Sequence, residues 1–168
     1  MTYKPHMPIK STQEEYMKTS GAIISCLLLA FFAAACSQSV PGQQTVSTAG
    51  RTVTINILEP KEAQALIQKN KGSAGFVILD VRTPEEFESG HIEGAVNINY
   101  HSEDFVASLD KLDKNRQYLV YCRTGRRSAD TVSVMVRIGF TNILRFAGDI
   151  VRWKSEGLPV VKGTGSGS

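Results

Sequence analysis

Cys122 stands in the run Leu119-Val120-Tyr121-Cys122-Arg123-Thr124-Gly125-Arg126-Arg127-Ser128, between an apolar β-like stretch and a helix-like segment beginning near Ser128. A thiol there lies where the N–H groups of a turn and of a helix N-terminus converge. Such donors stabilise a thiolate, or an anion bound above it. Arg123, Arg126 and Arg127 add positive potential, which favours the attacking thiolate. A cysteine after an apolar strand is more often a small buried hydrophobe. Core packing, however, does not require three arginines and a glycine beside it, and such a cluster repels itself unless an anion visits. The residues point to a nucleophile in an anion cradle built by Arg123, Thr124, Gly125, Arg126, Arg127 and Ser128; a solvated basic patch is the alternative.

The elements that must position this loop alternate along the chain. Short apolar, β-branched runs fall at Thr52–Ile57, Phe76–Asp80, Val96–Ile98, Gln117–Tyr121 and Asn142–Phe146. Helix-like segments fall at Pro60–Lys69, Pro84–Glu88, Ser102–Leu109, Ala129–Ile138 and Ile150–Ser155. This order predicts an α/β domain with a mainly parallel sheet flanked by helices. Ligands of such sheets bind beyond the carboxyl ends of the strands, which is where Cys122 falls. Asp80 and Arg82 leave the same edge after the second run and are read as a structural ion pair or loop brace. Thr83 is the expected cap of the next helix, with Pro84 in its first position.

The 168 residues carry a net charge of +3, with basic residues scattered except at the Cys122 loop, so no nucleic-acid stripe is indicated. The segment 21–35 is uncharged and almost wholly apolar, too short for a comfortable membrane span but suited to a signal-peptide core. Residues 1–35 are therefore read as a signal region. Glu14 and Glu15 fit it poorly, and a start at Met17 gives a compact Met-Lys lead. Cys36 directly follows Ala33-Ala34-Ala35 and resembles the lipidated cysteine of bacterial lipoproteins, although Ala33 stands where those proteins usually carry Leu. The expectation is an exported protein anchored to a membrane through Cys36, facing the periplasm or cell exterior; ordinary cleavage after Ala35, leaving a soluble periplasmic protein, is the alternative. Residues 36–50 read as a flexible polar tether, 51–162 as the folded domain and 163–168 as a flexible tail. Cys26 is lost with the signal and Cys36 acylated, which leaves Cys122 as the free thiol and no disulfide.

Leu79–Phe87, Gly90–Ile98, the Cys122 loop and Gly148…Trp153…Gly157-Leu158-Pro159-Val160 occur in the order found in single-domain rhodaneses. The chain resembles that family over nearly all of Thr52–Val161. The resemblance implies a five-stranded, mainly parallel sheet flanked by helices. It implies a sulfurtransferase in which Cys122 takes a sulfane sulfur and carries it as a persulfide, and Arg123–Arg127 match the loop that wraps the substrate. Related phosphatases and arsenate reductases place five residues between cysteine and arginine. Here Arg127 follows Cys122 after four, a tighter ring suited to one sulfur atom. Ala147-Gly148-Asp149 departs from the family's frequent pair of glycines.

The resemblance further implies a small donor such as thiosulfate or a persulfide, and a thiol, cyanide or protein-cysteine acceptor. The rival reading is a persulfide relay or binding module that serves one partner protein; a phosphatase or arsenate reductase fits the loop length less well. His91 is read as a turn-packing residue rather than a base. His91, His101 and Cys122 lack zinc-ligand spacing, so neither metal nor other cofactor is expected. A monomer is expected.

Overall fold

The computed structural model describes residues 42–48 and 50–163. Among the described residues six strands form one sheet: β1 (Gln43–Thr48), β2 (Arg51–Leu58), β3 (Phe76–Asp80), β4 (Ala95–Asn97), β5 (Gln117–Tyr121) and β6 (Ile143–Phe146). Five helices among the described residues connect or follow them: α1 (Pro60–Lys69), α2 (Pro84–Glu88), α3 (Phe105–Asp110), α4 (Arg126–Arg137) and α5 (Asp149–Ser155). The spatial order is β1-β2-β6-β5-β3-β4. Every pairing is parallel except β1 with β2, which is antiparallel.

Parallel strands linked by helices are covered on both faces, so successive residues of one strand enter opposite layers of core. Leu79 and Val120 pack with Val132, Met135 and Phe140 from α4 and the turn after it, while Phe105 and Leu109 of α3 join the same cluster. Their neighbours Ile78 and Leu119 face the other way, toward Ala63 of α1, Phe87 of α2, and Ile150 and Trp153 of α5. Helix α2 is started by the Thr83 side chain, which accepts from the Glu86 amide at 3.3 Å, while Glu86 accepts from the Thr83 amide at 3.1 Å. This reciprocal cap places Glu86 at the carboxyl edge of the sheet.

Gln43–Thr48 corrects the reading of residues 36–50 as a tether, and makes the sheet six-stranded rather than five-stranded. The strand pairs from Gln43 with Asn56 to Thr48 with Arg51, and Gly50, at φ 77°, lies in the turn between the two. Its alternation buries one apolar side chain, Val46, against Val53 and Ile55 of β2, while β-branched Thr45 suits extended backbone. Polar composition is ordinary for an edge strand, and that is what disguised it. The largest of the other boundary shifts are at two helix starts, α4 at Arg126 rather than Ala129 and α3 at Phe105 rather than Ser102; β4 spans Ala95–Asn97 rather than Val96–Ile98, and the remaining ends move by at most one residue. Residues 1–35, Cys36 and 164–168 lie outside the described residues. No helix among the described residues is long and apolar enough to cross a membrane.

Candidate active site

β5 delivers Cys122 to the carboxyl edge of the sheet, and the chain then turns through Arg123–Gly125 into α4. Gly125 makes this turn at φ 108°, where a side chain would also press on Arg145 and Asp149, within 3.1 and 3.3 Å of a Cβ. Only glycine combines that backbone with that proximity. The Gly125 amide approaches Cys122 Sγ at 3.2 Å. Residue Cys122 itself is 1% exposed, at the floor of the loop.

The loop's carbonyls are tied down on its outer side. Cys122 O and Arg123 O accept from the Ile150 and Val151 amides of α5, each at 3.2 Å, and Gly125 O accepts from Arg145 Nη2 at 2.7 Å. The amides of Arg123, Thr124, Arg126 and Arg127 donate to no acceptor among the described residues. Carbonyls turned outward with amides left over make an anion-binding concavity, and the start of α4 reinforces it.

The arginines divide. Arg123 and Arg126 are exposed at the rim, as is Thr124. Arg127 is half-buried and forms a two-pronged pair with Glu86, at 2.7 and 2.9 Å. The Arg127 hydrogen bond outweighs partial burial and holds the Glu86 carboxyl down at about 2. In return Glu86 raises Arg127 above the ordinary guanidinium value, with Cys122 a smaller contributor. Arg127 is thus a fixed positive charge beside the thiol, pinned by α2. Ser128 is fully buried and faces inward, away from the rim.

Asp80 and Arg82 come to the same edge but engage each other. Arg82 Nε lies 2.9 Å from both Asp80 carboxylate oxygens and Nη2 lies 2.6 Å from Oδ2. Nη2 also donates to Gly90 O at 3.0 Å, and the guanidinium lies 5.7 Å over the Tyr121 ring. Among the described residues neither side chain bonds to the Cys122 loop. His91 is buried, with Nδ1 2.9 Å from Phe87 O and its ring stacked on Phe87.

Sequence reasoning missed Glu86, Arg145 and Asp149 as site residues. Asp149 Oδ1 accepts from the Cys122 amide at 2.6 Å and from the Ser128 hydroxyl at 2.8 Å. A charged residue inside the apolar run Asn142–Phe146 was the signal available for Arg145, and the missing second glycine was the signal for Asp149. Among the described residues no three His, Cys, Asp or Glu gather as metal ligands. A separate groove is lined by Gln64, Ile67, Phe76, Ile92, Trp153 and Pro159, and no residue of the Cys122 loop borders it.

Comparison with known proteins adds to this geometry. A family model described as a rhodanese-like domain matches residues 59–156. A sulfurtransferase of Allochromatium vinosum is 28% identical over 100 residues, covering 60% of this chain and 92% of that protein. A thiosulfate sulfurtransferase of Pseudomonas syringae is 34% identical over 99 residues, covering 58% of this chain and 86% of that one. The solution structure of a rhodanese-like domain from Anabaena superposes with a TM-score of 0.55 at 26% identity, covering 67% of this chain and 83% of that one.

Proposed function

The chain belongs to the rhodanese-like family and has sulfurtransferase relatives, and from that premise we propose that Cys122 accepts a sulfane sulfur and passes it on. The observation that carries this reading is the Gly125 amide aimed at Cys122 Sγ from 3.2 Å, inside a loop whose Arg123, Thr124, Arg126 and Arg127 amides face no acceptor among the described residues. In the first half-reaction the Cys122 thiolate attacks the outer sulfur of thiosulfate. A Cys122–sulfur bond forms, the original sulfur–sulfur bond breaks, and sulfite departs with the electron pair. No proton moves. The terminal persulfide sulfur, negatively charged, lies among the loop amides. In the second half-reaction a thiolate or cyanide attacks that outer sulfur, and Cys122 leaves as thiolate.

Arg123 and Arg126, exposed at the rim, draw the anionic donor in, while Arg127 adds a fixed charge beside the thiol. Incubation with thiosulfate is expected to make the peptide bearing Cys122 heavier by one sulfur atom. Dithiothreitol removes that sulfur, and added cyanide turns it over. Failure to load sulfur overturns the reading. Loading from a protein persulfide alone, with no turnover on thiosulfate and cyanide, makes Cys122 a relay for a partner instead.

Export and attachment through Cys36 belong to the same proposal, supported by the apolar segment 21–35 and the small residues before Cys36. In a bacterium that processes lipoproteins, the chain is expected to partition with membranes and label with palmitate. Cys36→Ala is expected to lose the label while its sulfurtransferase domain stays active. Wild-type protein found wholly soluble, with Cys36 unmodified, overturns the attachment.

A further inference from the structure

We infer that Asp149, backed by Arg145, is the positioning residue for Cys122 and its loop. This inference rests on the reading of Cys122 as the sulfur carrier. One carboxylate oxygen, Asp149 Oδ1, binds the Cys122 amide at 2.6 Å and the Ser128 hydroxyl at 2.8 Å, so it clamps both ends of the loop. Arg145 fixes the points between: Nη2 donates to Gly125 O at 2.7 Å and Nε to Ser128 Oγ at 3.2 Å. Its remaining prong donates to Gln44 Oε1 of β1 at 3.1 Å. Gly125 O shares its peptide plane with the Arg126 amide, so the Arg145 contact orients that donor, the next along the loop from the Gly125 amide that meets the thiol. The Cys122 amide is taken up by Asp149 Oδ1 and so is not among the loop's unpartnered donors.

Asp149 occupies this place against its own preferences. It is the only non-glycine with positive φ among the described residues, at 50°. It is 1% exposed, and Oδ2 has no hydrogen-bond partner among the described residues, with Arg145 Nη2 3.6 Å away. A glycine relieves the backbone at such a φ and removes the orphaned oxygen. Strain and an unpartnered buried oxygen persist where the surroundings over-determine them, commonly at a working site. The work here is geometric: Asp149 touches the reacting residue's backbone and holds its loop closed, without reaching the donor.

Two variants of the full chain test this. Asp149→Gly removes the clamp and relieves the backbone; Asp149→Asn keeps an oxygen for both donors. Misplacement of reacting groups is costly, so Asp149→Gly is expected to lower the saturating single-turnover rate of sulfur loading about tenfold while the half-saturating thiosulfate concentration stays within about twofold. Iodoacetamide, which needs no sulfur transfer, is expected to alkylate Cys122 about threefold faster in this variant because a loosened loop uncovers the thiol. Asp149→Asn is expected to stay within about twofold of wild type in both measurements, a rescue that a bulk loss of stability does not produce.

Wild-type loading and alkylation in folded Asp149→Gly overturn the inference, whatever the change in melting temperature. Should that variant not fold, Arg145→Lys decides in the same way, because lysine keeps the charge but cannot span Gly125 O and Ser128 Oγ together. Slower loading with faster alkylation upholds the clamp; wild-type values overturn it. If the wild-type chain does not load sulfur, the sulfurtransferase reading fails, and the alkylation contrast between the glycine and asparagine variants still decides the clamp.

Discussion

Cys122→Ser yields a folded domain that takes up no sulfur and turns over no thiosulfate. Serine is nearly isosteric with cysteine, and its oxygen still accepts from the Gly125 amide that lies 3.2 Å from Sγ in the wild type. The Asp149 contact is made to the backbone of residue 122, so it survives the change. The fold therefore loses little. Chemistry loses everything, because an unactivated hydroxyl is a weak nucleophile near neutral pH and cannot become a persulfide. Intact-mass measurement after thiosulfate, with a turnover assay alongside, checks both halves of the expectation. Normal turnover by this variant removes Cys122 from the mechanism.

Arg82→Ala gives the second large effect, on stability. Arg82 is 3% exposed and Asp80 is fully buried, so the truncation leaves a carboxylate without its partner in the interior. It also strips a donor from Gly90 O. Breaking a buried pair in this way costs about 3–5 kcal/mol, against a total of about 5–15 kcal/mol for an ordinary domain. The denaturant midpoint should fall steeply. The Lys71–Glu93 pair provides the control: its side chains are 67% and 68% exposed, and Lys71→Ala is expected to cost about 0–1 kcal/mol. Removing Asp80 and Arg82 together is expected to cost less than Arg82→Ala alone, since no charge is then stranded. Equal midpoints for Arg82→Ala and Lys71→Ala exclude this account.

The parts of the fold visible in the sequence were those with strong local signals. Phe76–Asp80 and Gln117–Tyr121 are apolar runs buried on both faces, and Pro60 and Pro84 mark helix starts at their own positions. The Cys122 loop was visible because a thiol, a glycine and three arginines crowd one short stretch. β1 was hidden because an edge strand that buries one apolar residue is locally indistinguishable from a tether. Arg126 and Arg127 read as loop residues in the sequence because their charge masks a helical turn that begins at left-handed Gly125. The clamp was hidden for a different reason. Asp149 lies 27 positions from Cys122 and Glu86 lies 41 from Arg127, and such contacts exist only once the sheet has brought their elements to one edge.

The antiparallel run of β1 has a topographic consequence. Gln43, the strand's first residue, lies beside Asn56 near the carboxyl end of β2, and Gln44 already touches Arg145 beneath the thiol loop. Without β1 the chain would enter the domain at Arg51, on the far side from Cys122. With it, the polypeptide arrives at the edge that carries Cys122. The entry of the chain into the sheet and the rim of the Cys122 loop therefore share one edge, joined through the Gln44–Arg145 contact.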